Sequence, residues 1–224
     1  MILAAVFVVA LALTAFGGAS TGPLPLASSS SLTSAQSSPS PEIVALRGPV
    51  RLQLPIAQAR VTAIGYSAAS DALSLSPVGH QANEGLISRA WHGLFGGGGG
   101  SPRWYQLGGG GTNSLDVGAA MGTDVYAPVD GVVAAIRPFI LMGKRYGSEI
   151  DIQPQSSASL VVAVTQLTAD PALTVGSAVV SGATKLGTVV DLASVEQQAL
   201  AKYTNDGGNH VTIEVRAAPV VTIS

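Results

Sequence analysis

The stretch Gly122-Thr-Asp-Val-Tyr-Ala-Pro-Val-Asp-Gly-Val-Val133 decides the fold. Val125 and Tyr126 are β-branched and aromatic, the side chains that suit a pleated, half-buried surface. Pro128 and the Asp130-Gly131 pair read as a turn, with Gly131 supplying a positive φ at no steric cost. Val132 and Val133 open the next strand. The segment therefore predicts strand 124–127, a turn, and strand 131–137 as a hairpin. Working outward, Leu115-Asp-Val-Gly118 lies just upstream, and Asn209-His-Val-Thr-Ile-Glu-Val215 reads as a strand far downstream. Between them, strands are expected at 148–153, 159–167, 177–181 and 186–190, with another at 210–215. One helix is expected at about 194–203, where Ser194 and Gln197 match a capping box and Gly207 follows the end. Short strands at even spacing predict an antiparallel β architecture.

Toward the N-terminus, 43–55 holds one or two short strands, and Ala59-Arg-Val-Thr-Ala-Ile-Gly-Tyr66 reads as another. Residues 84–95 have helical periodicity, with Leu86, Ile87, Ala90, Trp91 and Leu94 on one face. The Gly runs 96–100 and 108–111 flank Pro102-Arg-Trp-Tyr105 and read as loops. They lack the Gly-Lys-Ser/Thr ending of a phosphate loop. Trp104 and Tyr105 are expected to pack against the sheet, with stacking on a ligand as the alternative. Lys144-Arg145, at a hairpin tip, read as a solvated turn.

A chain of 224 residues with 47% apolar residues can build a substantial core. Its net charge of −2 gives no electrostatic footprint for nucleic acid or an anionic membrane. Residues 2–16 form an apolar run too short for the ~20 residues of a spanning helix. Gly17 and Ala19 then occupy the −3 and −1 places of a cleavage site, so 1–19 reads as a secretory signal peptide, or as an uncleaved anchor. Residues 20–41 are Ser/Pro-rich and read as a linker. Residues 42–111 hold N-terminal strands, a helix and the Gly-rich loop, and 112–224 form a β domain. The absence of Cys excludes disulfides, thiolate metal sites and Cys nucleophiles. The expected fold is mainly β, an antiparallel sandwich or barrel with two short helices.

The tail from about 112 to 216 resembles the M23 family, the lysostaphin-like (LytM) zinc endopeptidases of bacterial cell walls. The resemblance rests on Gly122-Thr-Asp-Val-Tyr-Ala127, Asp130-Gly-Val-Val133, Tyr146-Gly147, Leu173-Thr-Val-Gly-Ser-Ala-Val179 with Gly182 and Leu186-Gly187, and His210-Val-Thr-Ile-Glu-Val215. It implies the LytM fold, with its duplicated hybrid motif, and a zinc site. The family's zinc ligands correspond to Thr112, Asp116 and Thr212. A further family His corresponds to Gln166, and a catalytic His to His210. Only the carboxylate and that one imidazole persist. A threonine hydroxyl is a poor zinc ligand, and a catalytic zinc needs about three protein ligands plus a water. Without the metal, an attacking water keeps its bulk acidity near 15.7.

The expectation is therefore a degenerate, catalytically silent M23-like domain, with Asp116 and His210 as a vestigial, hydrogen-bonded pair. No cofactor is expected, and zinc only if the ligand set is rearranged, for instance through His92. Silent members of the family act as activators of cell-wall amidases, so the implied partner is peptidoglycan or a cell-wall protein. Membrane contact is expected only through an uncleaved N-terminal segment. The binding surface would be the old cleft, rimmed by 96–111 and 204–209. An active zinc endopeptidase cleaving peptidoglycan cross-links is the main alternative. A Ser114/Asp116/His210 triad lacks the Gly-x-Ser-x-Gly elbow. An Asp116/Glu214 acid–base pair competes with a framework role for Glu214. A biotinyl- or lipoyl-type barrel would need a modified Lys at a tight hairpin, and Lys185 does not sit in that setting.

Overall fold

The computed structural model describes residues 37–83 and 102–219. The apolar run, most of the expected linker, the helix expected at 84–95 with Trp91 and His92, and the Gly run 96–100 lie outside the described residues. What is described belongs to one compact unit and is almost entirely strand and turn.

Strands β1 (Ile43–Arg47), β2 (Val50–Gln53) and β4 (Ser76–Pro77) make a small sheet in the order β2-β1-β4. The rest join one large sheet: β3 (Ile64–Ser67), β5 (His80–Gln81), β6 (Arg103–Gln106), β7 (Ser114–Gly118), β8 (Asp124–Tyr126), β9 (Gly131–Leu141), β10 (Lys144–Pro154), β11 (Leu160–Ala169), β12 (Ala178–Val179), β13 (Lys185–Val189) and β14 (His210–Ala217). Its main path runs β12-β9-β10-β11-β14-β7-β3-β6-β5, with β13 bridging β11 and β8. Pairing is antiparallel except where β6 lies parallel to β3 and to β5. The mainly β, mostly antiparallel expectation holds, and the strands expected between 124 and 215 are all present.

The core explains why the strands alternate. Leu115, Val117, Ile150, Ile152, Val162, Val164, Val211 and Ile213 point to one face of the large sheet, where they meet Val44, Val50 and Leu52 of the small sheet in a single buried cluster. Tyr66 pins the two sheets together: its hydroxyl donates to the Val44 carbonyl at 2.6 Å, and its ring meets Trp104 edge-on at 5.1 Å. Burial pushes the Tyr66 phenol well above its usual range. Strands from both sides of residue 111 thus share one core, and β3, β5 and β6 join the later strands in the large sheet.

Four local readings are corrected. First, 124–127 and 131–137 are strands but not a hairpin. β8 pairs with β13, and β9 with β10 and β12. Pro128–Asp130 turns the chain from one neighbour set to another, with the Pro128 carbonyl accepting from Gln53 N–H at 2.8 Å. Second, Gly131 is not among the positive-φ residues. It is needed for close approach: a Cβ there would lie 2.3 Å from the Gln153 carbonyl oxygen. Third, the helix at 194–203 is only a 3-10 helix, Ala199–Tyr203, with no side-chain cap. The Asn209 Oδ1 atom accepts from Leu192 and Ala193 N–H at 2.9 and 2.7 Å, and Asp191 Oδ1 accepts from Ser194 N–H at 3.3 Å. Side-chain acceptors here hold the backbone in turns, the usual way Asx residues compete with a helix. Fourth, Arg103–Gln106 is a strand rather than loop. Its Tyr105 stacks on Tyr203 with centroids 4.3 Å apart, so both aromatics serve internal packing.

Candidate functional site

Residues in register across a sheet share a face. Asp116 faces Thr212, Thr212 faces Thr165, Glu214 faces Ser114 and Ala163, Ala163 faces Asp151, Asp151 faces Ala135, and Glu149 faces Arg137. One face of the large sheet is therefore polar across five strands, while the other is the core. All but one of the site residues singled out in the sequence lie on or beside this polar face.

At its β7–β14 end, Thr212 Oγ1 donates to Asp116 Oδ1 at 2.7 Å and accepts from Gln166 Nε2 at 3.1 Å. Both partners of the first bond are buried, Asp116 7% and Thr212 8% exposed. His210 is also buried. Its Nδ1 lies 2.8 Å from the Gly208 carbonyl, which can only accept, so Nδ1 carries the proton. Its Nε2 then faces Asp116 Oδ1 at 3.8 Å, too long for a hydrogen bond. Register explains the gap: His210 pairs with Gly118, so Asp116 is its diagonal neighbour rather than its direct one. The His–Asp pair is thus in contact but not hydrogen-bonded, and Asp116 is satisfied by Thr212 instead.

Gln166 reaches this cluster through a backbone irregularity. β11 pairs with β14 through Thr165 and with β13 from Leu167 onward. Opposite this switch, the register with β10 slips between Ser148 and Ile150. Gln166 sits in the slip with φ at 65°. A left-handed glutamine within a strand is strained, and a bulge of this kind re-aims a side chain. Its Oε1 is buried and has no hydrogen-bond partner. Thr112 goes elsewhere: its hydroxyl donates to the Leu75 carbonyl at 2.7 Å. Of the family-derived positions, the structure brings together Asp116, Gln166, His210 and Thr212, and leaves Thr112 on another partner.

The donor set does not fit a zinc centre. Asp116 and His210 face one another, but the Thr212 hydroxyl donates its proton to the carboxylate, and Thr112 is turned to a backbone carbonyl. Among the described residues, no three His, Cys, Asp or Glu side chains come together to hold a metal. The carboxylate and imidazole fall short of the usual three protein ligands.

Sequence reasoning missed the other half of the polar face. Arg137 Nη2 lies 2.6 Å from Glu149 Oε1 and 2.5 Å from Asp151 Oδ2. Arg216 contacts Glu149 Oε1 at 3.0 Å through Nη1 and Glu214 Oε2 at 2.7 Å through Nη2. Burial pushes the Glu149 carboxyl up, but the Arg137 hydrogen bond and the Arg216 charge outweigh it and hold Glu149 below its usual range. For Asp151, burial wins over the attraction of Arg137, and its carboxyl sits above the usual range. Asp151 Oδ1 is buried without a partner. The available signal was the i, i+2 spacing of Glu149/Asp151 and Glu214/Arg216, which puts four charges on one face of two strands.

At the other end, the 3-10 helix Ala199–Tyr203 closes over the sheet. Gly65 and Gly118 make room for Leu200: a Cβ at either would lie 2.9 or 2.7 Å from its side chain. Clefts of about 570 and 530 Å³ lie away from the cluster, one around Val132, Pro154 and Val180, the other around Gln198, Lys202 and Tyr203. The residues lining these clefts do not include Asp116, Gln166, His210 or Thr212, so hydrogen-bond geometry rather than cleft size marks the cluster.

No known family profile matches the sequence, and no curated protein sequence does. Among solved structures, Csd3 of Helicobacter pylori is 19% identical, with 49% of this chain and 25% of that chain covered, at a TM-score of 0.33. The M23 metalloprotease pseudoalterin from the deep sea is 17% identical, with 75% and 73% covered, at a TM-score of 0.35. The chain thus spans a quarter of the length of Csd3. Likeness at this level carries no argument about activity.

Proposed function

We propose that this chain is an exported, catalytically silent domain of the M23 (LytM) type that binds peptidoglycan or a cell-wall protein through the polar face of its large sheet. One observation carries the reading. At the position where the M23 motif has a ligating His, the Thr212 hydroxyl donates to Asp116 and accepts from Gln166. The hydrogen-bonding capacity that would face a metal is used within the protein. The sequence resemblance from 112 to 216 supports the family. The charged row Arg137–Glu149–Arg216–Glu214 supports a binding role, because wall peptides carry both amines and carboxylates. In the described residues no helix is long and apolar enough to cross a membrane.

The test uses insoluble peptidoglycan and the purified chain. Co-sedimentation without release of soluble fragments or new amino groups is expected, unchanged by chelator or added zinc. Turnover that a chelator abolishes and zinc restores would overturn the silent reading. It would favour the alternative, an active zinc endopeptidase, for which the Nδ1-anchored His210 facing Asp116 is the supporting geometry.

A further inference from the structure

The distal half of the β9–β10 hairpin stands apart from the rest of the sheet. β11 accompanies β10 only from Ser148 onward, and β12 touches β9 only at Gly131 and Val132. Residues 139–145 have ladder partners across the hairpin alone, Lys144 opposite Leu141 and Arg145 opposite Ile140, while Gly147 already lies close against the Leu167 carbonyl of β11. This tip reads Phe139-Ile-Leu-Met-Gly-Lys-Arg-Tyr146. Ile140 is 52% and Met142 79% exposed.

The turn is unusual in its chemistry. Met142 has φ 50° and Gly143 φ 78°. A two-residue hairpin turn with both φ positive favours Asn-Gly or Asp-Gly, because a short polar side chain tolerates the left-handed region. Here a long apolar side chain takes the strained position and projects into solvent. Neither folding nor solubility favours that choice, and strain of this kind marks functional positions.

Charge points to the occupant. From Gly131 to Ser148 the sequence holds Arg137, Lys144 and Arg145 and no acid, in a chain of net charge −2. Arg137 is engaged by Glu149 and Asp151. Among the described residues Lys144 and Arg145 form no ion pair; the Lys144 ammonium lies 5.1 Å from the Tyr146 ring centroid, and Arg145 Nε donates to the Gly147 carbonyl at 3.3 Å. Met142 stands at the apex, the Leu141/Lys144 and Ile140/Arg145 pairs follow behind it, and Tyr146 comes next. Each aliphatic side chain behind the apex thus has a long basic neighbour that can extend its charged end to anionic headgroups, while the aliphatic groups and the ring meet the acyl boundary and interface.

We propose that the Ile140–Tyr146 hairpin tip inserts shallowly into an anionic lipid surface, with Ile140 and Met142 entering the acyl boundary and Lys144 and Arg145 meeting headgroup phosphates. This contact is separate from the polar sheet face and does not depend on the reading of that face. It departs from the expectation that only the N-terminal segment could touch a membrane.

The chain contains no Cys, so a single Ile140→Cys substitution in the full chain accepts an environment-sensitive fluorophore at the tip alone. Vesicles of phosphatidylcholine with phosphatidylglycerol should blue-shift the label and expose it to an acyl-chain quencher, and phosphatidylcholine vesicles should do so much less. Lys144→Glu with Arg145→Glu should lower the partition coefficient at least ~10-fold, since each basic residue near such a surface contributes about a fivefold gain. Met142→Asn should also weaken partitioning, yet melt at or above the parent temperature because it suits the turn, which separates a lost contact from a lost fold. A label that stays water-exposed while the chain sediments with vesicles would overturn the proposal, since attachment would then lie elsewhere. So would a blue shift that grows with protein concentration in the absence of vesicles, which would make the tip a contact between copies of the chain.

Discussion

Replacing Thr212 by Val tests whether the hydroxyl, rather than mere space-filling, holds the vestigial site together. The two side chains are close in size, so packing changes little, but two hydrogen bonds are lost. One is the 2.7 Å bond to the buried Asp116 carboxylate. A bond to a charged group contributes about 1.5–3 kcal/mol, and its loss leaves the acceptor buried without that partner. The other is the 3.1 Å bond from Gln166, whose second amide atom, Oε1, already lacks a partner; a neutral bond adds about 1 kcal/mol. The variant should therefore be less stable by about 3 kcal/mol. For a domain of this size that corresponds to a fall in melting temperature of roughly 6–12 °C. Thermal unfolding followed by circular dichroism reads this directly. A double-mutant cycle with Asp116→Ala, which removes the acceptor, isolates the pairwise part. A Thr212→Val melting temperature within a degree of the parent, or a coupling energy near zero, would refute the claim that the hydroxyl has taken over a structural role at this position.

Gly131→Val should prevent folding or cost several kcal/mol, because the first added carbon would meet the Gln153 carbonyl at 2.3 Å and Ile152 at 2.9 Å; expression yield and urea midpoint report it, and a variant as stable as the parent would refute the close-approach assignment. The polar face should also make stability depend on pH. Glu149 is held below its usual range in the folded chain, so its contribution is present above the ordinary glutamate range and is lost as pH falls through the depressed folded value; Glu149→Gln should flatten the acid limb of a urea-midpoint profile. Asp151 has the opposite sign. Its carboxyl is raised mainly by burial, so its contribution is complete below the ordinary aspartate range and is lost as pH rises through the raised value. Asp151→Asn should accordingly remove that loss, and a profile that keeps it would show that the buried carboxyl is not its source.

Much of the candidate site was legible in outline. Asp116, His210, Thr212 and Gln166 were each singled out from spacing against a motif, and the structure brings all four together, because β7 and β14 are neighbours and Gln166 lies in the adjoining strand. The contact expected between Asp116 and His210 exists at 3.8 Å, but the hydrogen bond does not, since diagonal placement across the strands set the distance. Thr112 was drawn into the same site by motif alignment, and Leu75, 37 residues earlier in the chain, claims its hydroxyl instead.

What the sequence by itself determined is local: runs of Val, Ile and Thr at period 2, broken by Gly, Pro and Asp, place the strands from 124 to 215 and put the chain in the mainly β class. Those signals depend on backbone preference and alternation within a few residues, so they survive without knowledge of any neighbour. Only the tertiary structure decided which strands meet. It sent β8 to β13 rather than to β9, made Gly131 a point of contact with Gln153 rather than a turn residue, folded Gln166 into a bulge and lined up Arg137, Glu149, Asp151, Arg216 and Glu214 on one face. The reason is that strand pairing and register are set by contacts between segments far apart in the chain, where the burial of one face selects among pairings that local propensity leaves equivalent.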